Sequence, residues 1–213
     1  AELDEYDEWC VCTAYFRDVR RRYFDNATDK LYFAYNGTGA PPDAWRFIVP
    51  DLATLLSAVG TQEEPVKNIT LRGLGFRDAR APFLDPWGVP SGGDWALHRG
   101  AAVFFEGTED ASVEGCKFER VDGNALLLSA YNRRAAVRAS EFAWVGDTAM
   151  AAWGRAADWD ATGGDQPRDT LIEGNYAHEL GVYQLQSSMW FQAKAAATTA
   201  LLRQPSTLLL PCA

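Results

Sequence analysis

Four related hexapeptides decide the fold: LRGLGF at residues 71–76, VEGCKF at 113–118, VRASEF at 137–142 and IEGNYA at 172–177. Each begins with a branched apolar residue, continues with a charge and then Gly or Ala, and ends on a second apolar residue. The second and third copies begin 24 residues apart, and the apolar segments AAVFF (101–105) and ALLL (125–128) precede them at one common interval. A repeat period in the low twenties predicts a solenoid.

A helix is the competing interpretation of residues 125–139, because Ala, Leu and Arg are abundant there and short apolar runs do not settle the question by period alone. Turn-forming segments at 122–124, 131–132 and 146–147 interrupt this part of the chain, which favours short strands. Coils of a parallel β-solenoid stack at about 4.8 Å, so equivalent residues form interior ladders. The two predicted ladders are Val113, Val137 and Ile172, and Phe118, Phe142 and Ala177.

The repeat also predicts the organisation of the chain. Residues 1–60 lack the pattern and are expected to form a strand-rich N-terminal cap or first partial coil, and the coils occupy 61–195. Two longer steps between copies are explained by insertions at 77–100 and 154–168, which could build a binding face or be plain surface loops. Residues 196–213 carry no repeat, so we expect an irregular tail and an open edge that could self-associate edge to edge.

Composition limits the function classes. The 213 residues are 47% hydrophobic and 13% aromatic, enough for one core, and no apolar run reaches membrane-spanning length. A net charge of −9 disfavours nucleic-acid partners and, more weakly, polyanionic substrates. No metal or other cofactor is predicted, since the two histidines are remote in sequence from Cys10 and Cys12. Those two cysteines are too close to bridge each other, and the disulfide pairing stays open.

Three glycosylation sequons lie in the first 70 residues, at Asn26, Asn36 and Asn68. They predict a secreted, extracellular glycoprotein.

Longer segments carry a family resemblance: YNGTG (35–39), PVKNITLRGLGF (65–76), GGDWAL (92–97), FFEGTE (104–109), FAWVGDTA (142–149), GDQP (164–167) and SSMWFQAK (187–194). They resemble the right-handed parallel β-helix proteins of the pectin-lyase-like superfamily, and more narrowly the large secreted β-helix proteins of algae, oomycetes and marine animals, which are similar to β-helical glycoside hydrolases. The resemblance covers roughly residues 23–195 and implies a right-handed helix and a polysaccharide or other glycan as partner. Family members continue through further coils, which implies that this sequence is truncated at its C-terminus.

A glycosidase needs two carboxylates, about 5 Å apart for retention or up to about 9.5 Å for inversion. Acids on neighbouring rungs of a solenoid meet that need, because rungs are about 4.8 Å apart. We predict Asp147 as nucleophile or base and Asp165 as acid, with Glu106 and His178 in support. Each has a structural alternative: either aspartate could bond its own backbone in a turn, and His178 could be a structural histidine.

Aromatic and polar side chains suggest the sugar-binding surface, because flat rings pack on sugars while polar groups bond the hydroxyls. The candidates are Trp87, Trp95, Trp153, Trp159, Gln186, Gln192 and Lys194. Core packing could explain the tryptophans instead. Two alternatives to hydrolysis stay open: a polysaccharide lyase, for which Lys194 is the attractive base, and a non-catalytic extracellular glycan-binding or wall protein.

Overall fold

The computed structural model describes residues 22–25, 28, 30–33, 38–40, 50–82, 85–88, 96–156, 160–184, 186–194 and 199–202. The chain forms two compact units, Ala1–Asp51 and Leu52–Ala213. In the first unit, β1 (Arg22–Asp25) and β2 (Lys30–Phe33) form an antiparallel pair.

The strands of the second unit, in chain order, are β3 (Leu56–Val59), β4 (Val66–Lys67), β5 (Thr70–Arg72), β6 (Gly75–Ala79), β7 (Trp87–Gly88), β8 (Leu97–His98), β9 (Val103–Glu109), β10 (Ser112–Glu114), β11 (Lys117–Val121), β12 (Leu126–Arg133), β13 (Ala136–Arg138), β14 (Glu141–Val145), β15 (Met150–Trp153), β16 (Pro167–Arg168), β17 (Thr170–Glu173), β18 (Tyr176–Leu180), β19 (Trp190–Ala193) and β20 (Thr199–Leu202). The described residues contain no helix, and therefore none long and apolar enough to span a membrane.

Three parallel sheets contain most of these strands. The first sheet has the order β3-β9-β12-β15-β19, the second β5-β10-β13-β17-β20 and the third β6-β11-β14-β18. Strands β4 and β16 extend the first sheet beside β9 and β12. Consecutive strands pass from the first sheet to the second and the third and then return, as β9, β10, β11 and β12 do. The all-β, parallel prediction is confirmed, and the helix interpretation of residues 125–139 is wrong because this segment contains β12 and β13.

The repeated hexapeptides lie in register. Val113 of β10 pairs with Val137 of β13, which pairs in turn with Ile172 of β17, and all three are buried. Phe118 is stacked between Phe76 and Phe142, with ring centroids 5.0 Å and 4.6 Å away. Apolar burial along these ladders builds the main core.

The backbone φ at the third position of each hexapeptide explains why a small residue, Gly or Ala, occurs there. Gly73, Gly115, Ala139 and Gly174 have φ of 63°, 57°, 47° and 63°. They form the turn from the second sheet to the third. Glycine occupies this left-handed region without steric cost, whereas a Cβ makes it unfavourable by about 1–2 kcal/mol.

We therefore expect Ala139→Gly to stabilise the protein by about 0.5–1 kcal/mol in urea unfolding. Ala139 is exposed, so the change removes strain without opening a cavity. Ala136→Gly is the matched control: Ala136 lies in β13 outside the positive-φ positions, and its replacement should destabilise by about 0.5–1 kcal/mol. Effects of the same sign at both positions would contradict this account of the turn.

Buried polar side chains hold neighbouring turns together. Ser140 Oγ accepts a hydrogen bond from the Cys116 backbone N–H at 3.1 Å, and Asn175 Oδ1 accepts one from the Ser140 N–H at 3.0 Å. Asn175 Nδ2 donates to the Val137 carbonyl at 2.9 Å. These bonds satisfy backbone groups that the turns would otherwise leave buried without partners.

The expected irregular tail is described only at 199–202, where β20 pairs in parallel with β17. The rest of residues 196–213 lies outside the described residues, as does the sequence around Cys10 and Cys12.

Candidate functional site

An open cleft of about 360 Å³ lies beside the first sheet, where the register between β9 and β12 shifts. Its lining residues are Gly60, Thr61, Gln62, Glu63, Glu106, Gly107, Ala130, Tyr131, Arg155 and Asp165. The register of β12 against β9 shifts between Ser129 and Asn132, and the two residues within that shift, Ala130 and Tyr131, face the cleft. The register shift thus coincides with a space of the size that small ligands occupy.

Glu106 is held rigidly on one wall of the cleft. Both of its carboxylate oxygens lie 3.0 Å from Nη2 of Arg155, and Oε2 accepts a 2.7 Å hydrogen bond from Ser129 Oγ. Ser129 lies directly opposite Glu106 in the pairing of β12 with β9. Three contacts fix the carboxylate orientation, which is a requirement for a group that must meet a substrate in one geometry.

Arg99 contacts Ser129, the hydrogen-bond partner of Glu106. Its Nη1 donates to Ser129 Oγ at 2.9 Å and to the Trp153 carbonyl at 2.8 Å, while its guanidinium carbon lies 3.8 Å from the Trp153 ring centroid. Burial, followed by repulsion from Arg155, lowers the pKa of Arg99 to about 10. Trp153 therefore packs against a partly buried cation, which accounts for its position without a sugar ligand.

Asp165 reaches the cleft because the second insertion is folded back onto the sheet. Arg133 Nη2 donates to the Gly164 carbonyl at 2.8 Å, and the buried Gln166 donates through Nε2 to the Arg155 carbonyl at 3.1 Å. The Arg155 backbone N–H donates to the Asp165 carbonyl at 2.8 Å. The insertion thus brings Asp165 and Arg155 to the same cleft as Glu106.

Tyr131 also lines the cleft. Its hydroxyl donates to Glu109 Oε1 at 2.6 Å, and the guanidinium carbon of Arg133 lies 4.1 Å from its ring centroid. The hydrogen bonds from Tyr131 and Lys67 hold the pKa of Glu109 below its usual value.

Asp147, the expected partner of Asp165, lies elsewhere. It precedes β15 by three residues, whereas Arg155 of the cleft follows the end of β15 by two, and Asp147 does not line the cleft. Ser187 Oγ lies 3.0 Å from Asp147 Oδ1, and the backbone N–H donates to the Gly123 carbonyl at 3.3 Å. Oδ2 is buried without a hydrogen-bond partner among the described residues. The structure brings Glu106, not Asp147, to the same cleft as Asp165.

Burial is the main cause that raises the pKa of Asp147 to about 6. An unfolded aspartate titrates at about 3.9. Between these values the folded state keeps a proton that the unfolded state releases, so this group makes the free energy of unfolding fall as pH rises. The loss is complete above the folded pKa and amounts to about 2–3 kcal/mol.

The Asp147→Asn variant cannot titrate at this position. We expect the stability of the wild type relative to this variant to fall by about 2–3 kcal/mol between about pH 4 and pH 7. Urea unfolding of both proteins across that range measures the difference. Parallel stability curves would contradict the buried-carboxyl account.

Other predicted site residues lie apart from the cleft lining. His178 is in the third sheet, where its Nε2 lies 3.4 Å from Glu141 Oε1 and its ring 4.8 Å from Tyr176. Its Nδ1 contacts Glu179. The cleft lining does not include His178, so the structure gives it no contact with the carboxylate pair.

The candidate sugar-binding residues are spread over several surfaces. Trp87, in β7, donates to the Pro82 carbonyl at 3.2 Å. Gln186, Gln192 and Lys194 are exposed, and Lys194 Nζ donates to the Ala156 carbonyl at 3.4 Å. None of these residues lines the cleft.

Of the remaining candidates, Trp95, Trp159, Asn26 and Asn36 lie outside the described residues. Asn68 is exposed in the turn between β4 and β5.

Sequence reasoning missed Arg99, Ser129, Tyr131 and Arg155. The sequence repeat did not indicate Ser129: at the 24-residue offset it aligns with Phe105, whereas the pairing of β12 with β9 has an offset of 23 and sets Ser129 opposite Glu106. The others depend on contacts between residues remote in sequence.

No family model, curated protein or solved structure matches this chain. Among the described residues, no group of three or more His, Cys, Asp or Glu side chains is arranged to hold a metal ion.

Proposed function

We propose that the second unit is a right-handed parallel β-helix whose cleft binds and hydrolyses an extracellular polysaccharide. The fold proposal is supported by the repeated passage of the chain through three parallel sheets and by the 24-residue step between Val113 and Val137. The extracellular location is supported by the three sequons, of which Asn68 is exposed.

One observation carries the enzymatic proposal: two carboxylates, Glu106 and Asp165, line one cleft of about 360 Å³. Glycoside hydrolysis needs an acid on the leaving oxygen and a base or nucleophile on the other side of the bond. Glu106 suits the second role because Arg155 and Ser129 fix its orientation. Asp165 then takes the role of acid.

The proposed step conserves atoms and protons. Asp165 donates its proton to the glycosidic oxygen while the bond from that oxygen to the anomeric carbon breaks. Glu106 accepts a proton from the water whose oxygen bonds to the anomeric carbon. Proton exchange with solvent then restores both groups. Gln62, which is exposed in the cleft lining, offers an amide for the sugar hydroxyls.

Glycan binding without cleavage is the second candidate, favoured by the ion pair between Glu106 and Arg155. A base engaged by a guanidinium is held in place but is also less available for proton transfer.

Incubation with a panel of soluble polysaccharides separates the candidates. We expect new reducing ends with saturated product termini. Unsaturated termini would assign a lyase, and saturable binding without products would assign a binding protein. Neither binding nor products across neutral, acidic and basic polysaccharides would overturn the glycan proposal.

A further inference from the structure

The charges in the cleft restrict its ligand. Three carboxylates line it, those of Glu63, Glu106 and Asp165, together with a single guanidinium, that of Arg155. Arg155 is already paired with Glu106 through both carboxylate oxygens. The lining side chains therefore have an excess of negative charge.

Of the two remaining carboxylates, Asp165 is the proton donor proposed above, and Glu63 is available to a charged group of the ligand. Within the described part of the chain, neither Glu63 nor Asp165 forms an ion pair. Glu63 is exposed, and Asp165 is partly buried. The loops that carry them adjoin, because a Cβ placed on Gly164 would lie 3.3 Å from Gln62 Nε2.

The neighbouring cations are engaged with the protein. Arg99 donates to Ser129 and to the Trp153 and Gly154 carbonyls, and Arg133 donates to the Gly164 and Gln166 carbonyls. Lys67 pairs with Glu109 at 3.1 Å.

A polyuronate would bring one carboxylate per sugar into this surrounding, where it meets Glu63 and Asp165. The net charge of −9 adds repulsion at long range. A sugar bearing an ammonium group meets the opposite situation, since the Glu63 carboxylate accepts its hydrogen bonds.

We propose that the ligand of this cleft is a basic amino-sugar polymer, one that carries free amines rather than uronate carboxylates. This inference rests on the proposed glycan function and names its substrate class. Glu63 binds an ammonium group, while Asp165 and Glu106 keep the acid and base roles proposed for hydrolysis.

Three hexamers test it by calorimetric titration of the full chain: β-1,4-linked glucosamine, its fully N-acetylated counterpart and galacturonate. All three titrations use the same pH, at which the glucosamine amines are protonated. We expect the glucosamine hexamer to bind about two- to fivefold more tightly than the acetylated one, since one exposed ion pair contributes a factor of about two to five. Galacturonate should bind most weakly. The preference should vanish at about 1 M salt, where the Debye length is about 3 Å.

Two variants that each remove one carboxylate charge show which residue causes the preference for glucosamine. Glu63→Gln should weaken glucosamine binding about two- to fivefold and leave the acetylated hexamer unchanged. Glu64→Gln is the control, because Glu64 is an exposed neighbour that does not line the cleft, and its affinities should stay at the wild-type values.

The outcomes separate the two proposals. Equal or tighter binding of galacturonate, or equal effects of the Glu63 and Glu64 variants, overturns the amino-sugar inference and leaves the glycan proposal standing. Absence of binding by all three hexamers overturns both.

Discussion

We expect Glu106→Gln to slow polysaccharide hydrolysis by about 100-fold to 10,000-fold, the range that a general acid or base contributes. Glutamine keeps the shape of the side chain and can still accept from Ser129, whose Oγ lies 2.7 Å from the present carboxylate. It cannot take a proton from the attacking water. Initial rates of reducing-end release measure the loss, with binding of the same polysaccharide measured in parallel.

Glu114→Gln is the control for this change. Glu114 is also a carboxylate that accepts from an arginine, at 2.6 Å from Arg72 Nη2, but it lies in the second sheet and does not line the cleft. Its replacement should leave the rate unchanged. If Glu106→Gln retains wild-type activity, Glu106 is not the base, and if both variants lose activity equally, the loss comes from stability.

The largest stability effect should follow Phe118→Ala. Phe118 is fully buried between Phe76 and Phe142, and its ring is stacked nearly parallel to that of Phe142, at 8°. Truncation leaves a cavity in the middle of the stack, and we expect the free energy of unfolding to fall by about 3–5 kcal/mol. For a chain of this size the corresponding fall in Tm is about 6–20 °C.

Tyr176→Ala provides the comparison. Tyr176 is an aromatic residue of the third sheet that is 42% exposed, so its truncation should change stability by less than about 1 kcal/mol. A loss at Phe118 no greater than that at Tyr176 would mean that the phenylalanine ladder is not the centre of the core.

The parallel ladders could be predicted from the sequence because each passage of the chain through the three sheets repeats the same local requirements. A branched residue such as Val113 must face inward, and a residue that tolerates positive φ, such as Gly115, must follow two places later. These demands recur in every copy and appear in the sequence as a motif.

The cleft could be predicted only in part. Glu106 and Asp165 were both candidates, yet their common location depends on the register shift in β12 and on the path of the second insertion. That path is fixed by Arg133 and Gln166, whose partners are remote in sequence and follow no period. The segment around Asp147 looks like a catalytic motif, but Asp147 itself lies in a buried turn.

The central proposal is that the ligand binds in the cleft lined by Glu106 and Asp165. Amide hydrogen exchange with and without a saturating glucosamine hexamer tests this most directly. We predict increased protection at residues 60–63, 106–107, 130–131 and 165, which come from four separate parts of the chain and line one cleft. Protection confined to the turns around Asp147 and Ser187, or to the third sheet around His178, would contradict it.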